Sequence, residues 1–169
     1  MKRDHSHFLG PIGGLGGKAA NNLAKQTDLA IAVGTKLADF TTGSWANFEN
    51  PDFSLVSVNV SRFDASKHLA QSVIGDAKVS LQELSNALGD WKAPDEWHKK
   101  SRDELKNWND YVDKESGPTN QELPSYAHAV GAIYRNSDPT DIAVTAAGGL
   151  VGEVVQIWRP KELNTHETE

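Results

Sequence analysis

The chain has 169 residues, with 17 Lys and Arg against 23 Asp and Glu, a formal net charge of −6 and no cysteine. That length holds one ordinary domain or parts of two, and the scattered basic residues weigh against nucleic-acid binding. The absence of cysteine excludes disulfides, thiolate zinc sites and a cysteine nucleophile. No stretch reaches the roughly 20 apolar residues of a membrane span, and no apolar signal core follows the polar start, so a soluble cytoplasmic α/β protein is expected.

Residues 1–17 are polar and then glycine-rich, at Gly10, Gly13, Gly14, Gly16 and Gly17, with no strand pattern ahead of them. Lys18 to Gln26 reads as a short helix, with Ala19, Ala20, Leu23 and Ala24 at helical spacing. Asp28 to Val33, closed by Gly34, reads as a buried parallel strand. Residues 34–53 form a loop or short helix. Leu55–Val60 is a second strand, and Val73 and Ile74 a short third. Asp76 caps a helix running to about Leu88, with Val79, Leu81, Leu84 and Leu88 apolar.

Composition shifts at Gly89. From Pro94 to Glu115 the chain is charged and tryptophan-rich. Trp97, Leu105, Trp108, Tyr111 and Val112 fall roughly on one helical face, which predicts a surface helix that lies against a domain and then leads away from it. Trp91, Trp97 and Trp108 are read as packing anchors, because their surroundings are not basic enough for a nucleic-acid stacking platform. Gly117-Pro118 breaks the helix. A helix from Ser125 to Asn136, a strand from Asp141 to Thr145, a glycine turn and a helix from Val151 to Trp158 follow, and Pro160 ends the last. Alternation of this kind argues for parallel sheets wound with helices.

Two glycine clusters could carry chemistry. Gly14-x-Gly16-x-x-Ala19 matches a relaxed dinucleotide fingerprint but lacks the preceding strand, so a tight loop before a helix competes with it. The second cluster, Gly148 to Gly152, has a strand before it and a helix after it. Amides of Gly149, Leu150 and Val151 at that helix start can hold a phosphate. His5 and His7 form a His-x-His pair with no third ligand in view, which is more often no metal site. No Gly-x-Ser-x-Gly or His-Glu-x-x-His pattern occurs, so no catalytic residue and no metal ligand is assigned.

Read together, these stretches resemble the thiamine-diphosphate enzyme family that contains acetolactate synthase. The run His7 to Gly16, spaced His-x-x-Gly-x-x-Gly-x-x-Gly, looks like that family's His-led glycine-rich loop. It is followed in order by Ala19-Ala20-Asn21, Thr27-Asp28-Leu29, Val33 to Asp39, Thr41-Thr42-Gly43 and Gly75 to Lys78. Val144 to Val151 is similar to the start of the family's diphosphate-binding domain. Asp39-Phe40-Thr41-Thr42, Ala146-Ala147-Gly148, Trp158-Arg159 and His166 to Glu169 look most like the branch that opens a cyclic trihydroxycyclohexane-dione by C–C cleavage in inositol catabolism.

The resemblance implies an α/β fold: an incomplete Rossmann-like parallel sheet with flanking helices over 1–90, a helical linker over 91–118, and the first helix–strand–helix of a diphosphate-binding domain over 119–169. It implies a fragment. The cofactor-activating glutamate would lie upstream of Met1 and the Mg²⁺ motif downstream of Glu169. The parent would use thiamine diphosphate and Mg²⁺ on a small molecule, as a homodimer or tetramer. This chain alone is expected to be inactive and to bind no cofactor. A sheet lacking its first strands would expose an edge and an apolar face, which predicts self-association.

Gly148, Gly149, Leu150 and Val151 would contact the diphosphate, mainly through backbone, with Ala146-Ala147-Gly148 standing where the family has Asp-x-Gly. Gly13, Gly14 and Gly16 would be a vestigial nucleotide loop. Family members that bind nucleotides carry acidic residues where this chain has Asn59 and Ser61. An acetolactate-synthase-like or other 2-keto-acid enzyme fragment, and a non-catalytic nucleotide-binding or interaction module, remain the alternatives.

Overall fold

Apolar runs of four to six residues, each followed by a glycine or a capping side chain, give the first half of the chain its strands. In a computed structural model, residues 5–160 and 162 are described, together with the backbone of 166–168. The first unit runs α1 (Lys18–Ala24), β1 (Leu29–Val33), α2 (Asp39–Thr42), β2 (Ser54–Asn59), α3 (Arg62–Ala65), a 3-10 turn (Lys67–Leu69), β3 (Gln71–Ile74) and α4 (Ala77–Leu88). The three strands form one parallel sheet in the order β1-β2-β3, with Leu29 opposite Ser54 and Val58 opposite Val73. This is the α/β architecture expected, a parallel sheet flanked by helices.

Caps set the boundaries. Ser61 Oγ accepts from the Asp64 amide at the start of α3, and Asp76 Oδ1 accepts from the Val79 amide at the start of α4. The Lys67 ammonium, 2.8 Å from Asp64 and hydrogen-bonded to it, holds that carboxyl below its ordinary range.

Two expectations about burial are corrected, that for the first strand and that for Trp91. The Asp28–Val33 segment is a strand from Leu29, but Leu29 and Ile31 are 53% and 42% exposed. Among the described residues β1 is an outer strand, hydrogen-bonded to β2 alone, and these two side chains stay open on it. The stripe on α4 is likewise open: no residue of that helix is buried. Trp91 packs on little and is 65% exposed. The unpaired edge and the exposed apolar residues expected of this sheet are both present among the described residues.

β2 is the buried strand. Ser57, at its centre, is 1% exposed and its hydroxyl has no hydrogen-bond partner among the described atoms. A buried unpaired hydroxyl costs desolvation energy that nothing returns. Ser57→Ala is therefore expected to leave stability unchanged or raise it by about 1 kcal/mol. A urea midpoint lowered by the substitution would show that the hydroxyl does have a partner.

The second unit follows α5 (Asp95–Glu115) and contains α6 (Tyr126–Asn136), β4 (Ala143–Thr145), α7 (Gly149–Ile157) and β5 (His166–Thr168). α7 starts two residues earlier than expected. β5, unforeseen in the sequence, pairs in parallel with β4. Ser125 caps α6 in a reciprocal box with His128.

α5 does not lead away from the rest of the protein. Its first part packs on α1, where Asn22 Nδ2 donates to Glu104 Oε2 at 3.0 Å and Lys100 reaches Gln26. Its last part enters a core of Val112, Val130, Val154, Ile157 and Trp158, with Trp108, Tyr134 and Ala143 around it. Trp108 and Val112 stand four residues apart and so share a helix face. Tyr134 meets Trp158 edge-on at 5.4 Å, and Arg159 pairs with Asp113 at 2.9 Å. One helix thus joins the two units.

Candidate functional site

The start of α7 is built by three local features. Val144 and its neighbours extend into β4. Gly148 then turns the chain at φ +143°, a conformation side chains rarely adopt. Gly149 opens the helix. No side chain caps this end, and its first turn holds no acidic residue. The amides of Gly149, Leu150 and Val151 therefore face outward at the positive end of a nine-residue helix, with no negative side chain in that turn to compete for them. Val154 and Ile157 fix the other end in the core. Gly148, Gly149 and Leu150 are exposed, and the Tyr126 ring comes within 4.0 Å of where a Cβ on Gly149 would sit.

The first glycine cluster is different in kind. Its amides already have acceptors inside the chain. Gly13 N–H donates to Asn21 Oδ1 at 2.8 Å, Gly14 to the Phe40 carbonyl at 2.7 Å, Gly16 to Gly13 at 3.0 Å and Gly17 to Pro11 at 3.1 Å. Asn21 Nδ2 returns a bond to the Gly13 carbonyl, and Asn47 Nδ2 donates to Asn21 Oδ1. A Cβ on Gly13 would overlap Phe40 O, and one on Gly17 would stand 3.0 Å from Trp108 Nε1. These glycines admit neighbouring backbone and an indole. A nucleotide phosphate would have to displace those bonds.

The strand ends carry similar internal bonding. Asn59 Nδ2 donates to the Thr35 carbonyl at 3.1 Å, and its Oδ1 accepts from Ser61 N–H at 2.9 Å. Near them lies a feature that sequence reading missed. Leu37, Ser44, Trp45, His68 and Leu69 all have positive φ. Trp45 stacks on His68 at 4.1 Å, and His68 Nε2 donates to the Leu37 carbonyl at 3.1 Å. No local pattern announces a contact between residues so far apart in sequence. His98 was also missed: its ring stacks on His7 at 4.9 Å, while His5 lies 5.4 Å from His7. Even so, no group of three or more His, Asp or Glu among the described residues is arranged to hold a metal ion. No described helix is long and apolar enough to cross a membrane.

Comparison with known proteins adds to this geometry. The 3D-(3,5/4)-trihydroxycyclohexane-1,2-dione hydrolase of Geobacillus thermodenitrificans is 32% identical over 190 residues, which cover all of this chain and 29% of that protein. The protein of the same name from Clostridium tetani is 35% identical over 190 residues, covering 95% of this chain and 29% of its own length. That from Clostridium perfringens strain 13 is 32% identical over 196 residues, with 100% and 30% covered. The chain thus spans about 30% of the length of the relatives it matches. The family described as thiamine pyrophosphate enzyme, central domain, matches residues 1–84, from the polar start into α4. Through these residues the chain belongs to the thiamine pyrophosphate enzyme family, as a carrier of its central domain.

Proposed function

We propose that this chain is part of a thiamine-diphosphate-dependent hydrolase that breaks a C–C bond of a cyclic dione, in cytoplasmic inositol catabolism. The observation that carries the reading is that similarity to hydrolases of that name runs the full length of the chain, through both units. The division at residues 90 and 118 belongs to the same reading, with central domain, linker and the start of a diphosphate-binding domain in that order. So does assembly of the parent enzyme as a homodimer or tetramer.

In this proposal Gly148 to Val151 is the diphosphate end of the pocket. The uncapped amides of Gly149, Leu150 and Val151 fit two phosphate groups better than they fit any cation. Mg²⁺ in the parent would be held by residues other than these. When bound, thiamine diphosphate supplies a nucleophilic carbon and a ring that stores the electron pair of the cleaved bond. The chain's own part is to hold and orient the diphosphate. On this reading none of its residues acts as acid, base or nucleophile in the chemical step. The loop at Gly13, Gly14 and Gly16 is a scaffold on this reading, since its amides are already paired.

The test is direct. The purified 169-residue chain, given thiamine diphosphate, Mg²⁺ and the cyclic dione, is expected to show no turnover above the cofactor alone. Measurable turnover overturns the view that it lacks the reacting groups. Calorimetric titration with ADP and FAD is expected to show no heat of binding. Saturable nucleotide binding would favour a free-standing nucleotide module built on the first glycine loop.

A further inference from the structure

The two glycine-rich segments, more than 130 residues apart, touch each other. Leu15 Cδ2 lies 3.6 Å from where a Cβ on Gly152 would stand. Gly152 is the fourth residue of α7, on the turn that presents the amides of Gly149, Leu150 and Val151. Leu15 itself has little freedom. It sits between Gly14, bonded to the Phe40 carbonyl, and Gly16, bonded back to Gly13. Two residues on, Gly17 lies against the Trp108 indole, and Trp108 packs on the same core that holds Val154 and Ile157. α7 is therefore gripped at its far end by the α5 core and at its near end by the loop.

We infer that residues 13–17 are a strap, and that Leu15 is a positioning residue for the anion-binding turn of α7. The inference rests on the reading of α7 as the diphosphate helix. Physically, a helix start whose amides must converge on one anion gains from being held against tilt, because small misplacements weaken every bond together. The leucine methyl lies over Gly152 at ordinary packing distance from where a side chain would begin. A nucleotide fingerprint is thereby put to work on a diphosphate it never touches.

The experiment follows the amide signals of Gly149, Leu150 and Val151 in the ¹⁵N-labelled full chain during titration with inorganic pyrophosphate. Saturable shifts at millimolar pyrophosphate are expected in the unsubstituted chain, because a bare anion needs only these amides whereas the whole cofactor needs the other walls of the parent's pocket. Leu15→Ala is expected to raise the pyrophosphate Kd about fivefold or more, and Leu15→Met to restore it to within about twofold. Leu55→Ala, which opens a cavity in the parallel sheet instead, is expected to lower the thermal midpoint at least as much while leaving that Kd within about twofold. Should Leu15→Ala not fold, Leu15→Val takes its place. Equal Kd values in the unsubstituted chain and the Leu15 variants would overturn the positioning role and leave the diphosphate reading standing. Absence of shifts in the unsubstituted chain would overturn the diphosphate reading and this role with it.

Discussion

Gly13→Ala is expected to lower the melting temperature of the protein steeply. Gly13 has φ +100°, and an added Cβ would stand 1.9 Å from the Phe40 carbonyl oxygen and 2.7 Å from that of Thr41. Both neighbours are backbone, so neither can rotate away. The left-handed conformation alone costs an alanine about 1–2 kcal/mol. Separating the two loops would also strain the bond from Gly14 to Phe40 and the pair that Asn21 makes with Gly13. A combined loss of about 4 kcal/mol or more is expected, a large part of the 5–15 kcal/mol that holds an ordinary domain together. Gly10→Ala is the control: φ is +94°, but nothing lies within 4 Å, so only the backbone term applies. Circular dichroism melts of the two variants separate the terms. Equal melting temperatures would show that the Phe40 contact yields without cost.

Gly131→Ala comes second. Gly131 is buried on α6, where an added Cβ would stand 2.0 Å from the Ser116 carbonyl oxygen and 2.8 Å from Ser116 Cβ. Ser116 is fixed in turn: its hydroxyl donates to the Val112 carbonyl at 2.7 Å, and its carbonyl accepts from Arg135 Nη1 at 2.5 Å. Alanine improves helix propensity by about 1 kcal/mol. Overpacking against a rigid carbonyl costs about 3 kcal/mol or more and wins. The net effect expected is a fall of about 4–8 °C in Tm, with Val130 pulled from the core it shares with Val112. A Tm at or above that of the unsubstituted chain would mean that α6 slides past Ser116 freely.

Both predictions concern glycines whose purpose the sequence left ambiguous. A Gly-x-Gly pattern reads the same whether it admits a phosphate or a neighbouring carbonyl, because both need a missing Cβ. Only the chain about 26 residues downstream of Gly14, folded back at Phe40, distinguishes them. The start of α7 was easier to read: strand, glycines and helix are consecutive, so local pattern carried the turn to within two residues. The linker helix was legible in its extent and in most of its inner face, although Tyr111, expected on that face, is 54% exposed. Its destination was not, since periodicity gives a face and not the partner that meets it.

By itself the sequence determined the longer elements and their order, though not α3 or β5, because strands and helices here follow from short-range alternation, caps and breakers. It also determined the family resemblance, because ordered motifs at fixed spacing are a property of the chain alone. Tertiary structure decided everything that depends on which distant surfaces meet. It left Leu29 and Ile31 open on an outer strand, drew Trp108 and Val112 into a core with α7, and stacked Trp45 on His68. It also laid Leu15 against Gly152. Burial and close approach are sums over neighbours far apart in sequence, and no window along the chain contains them.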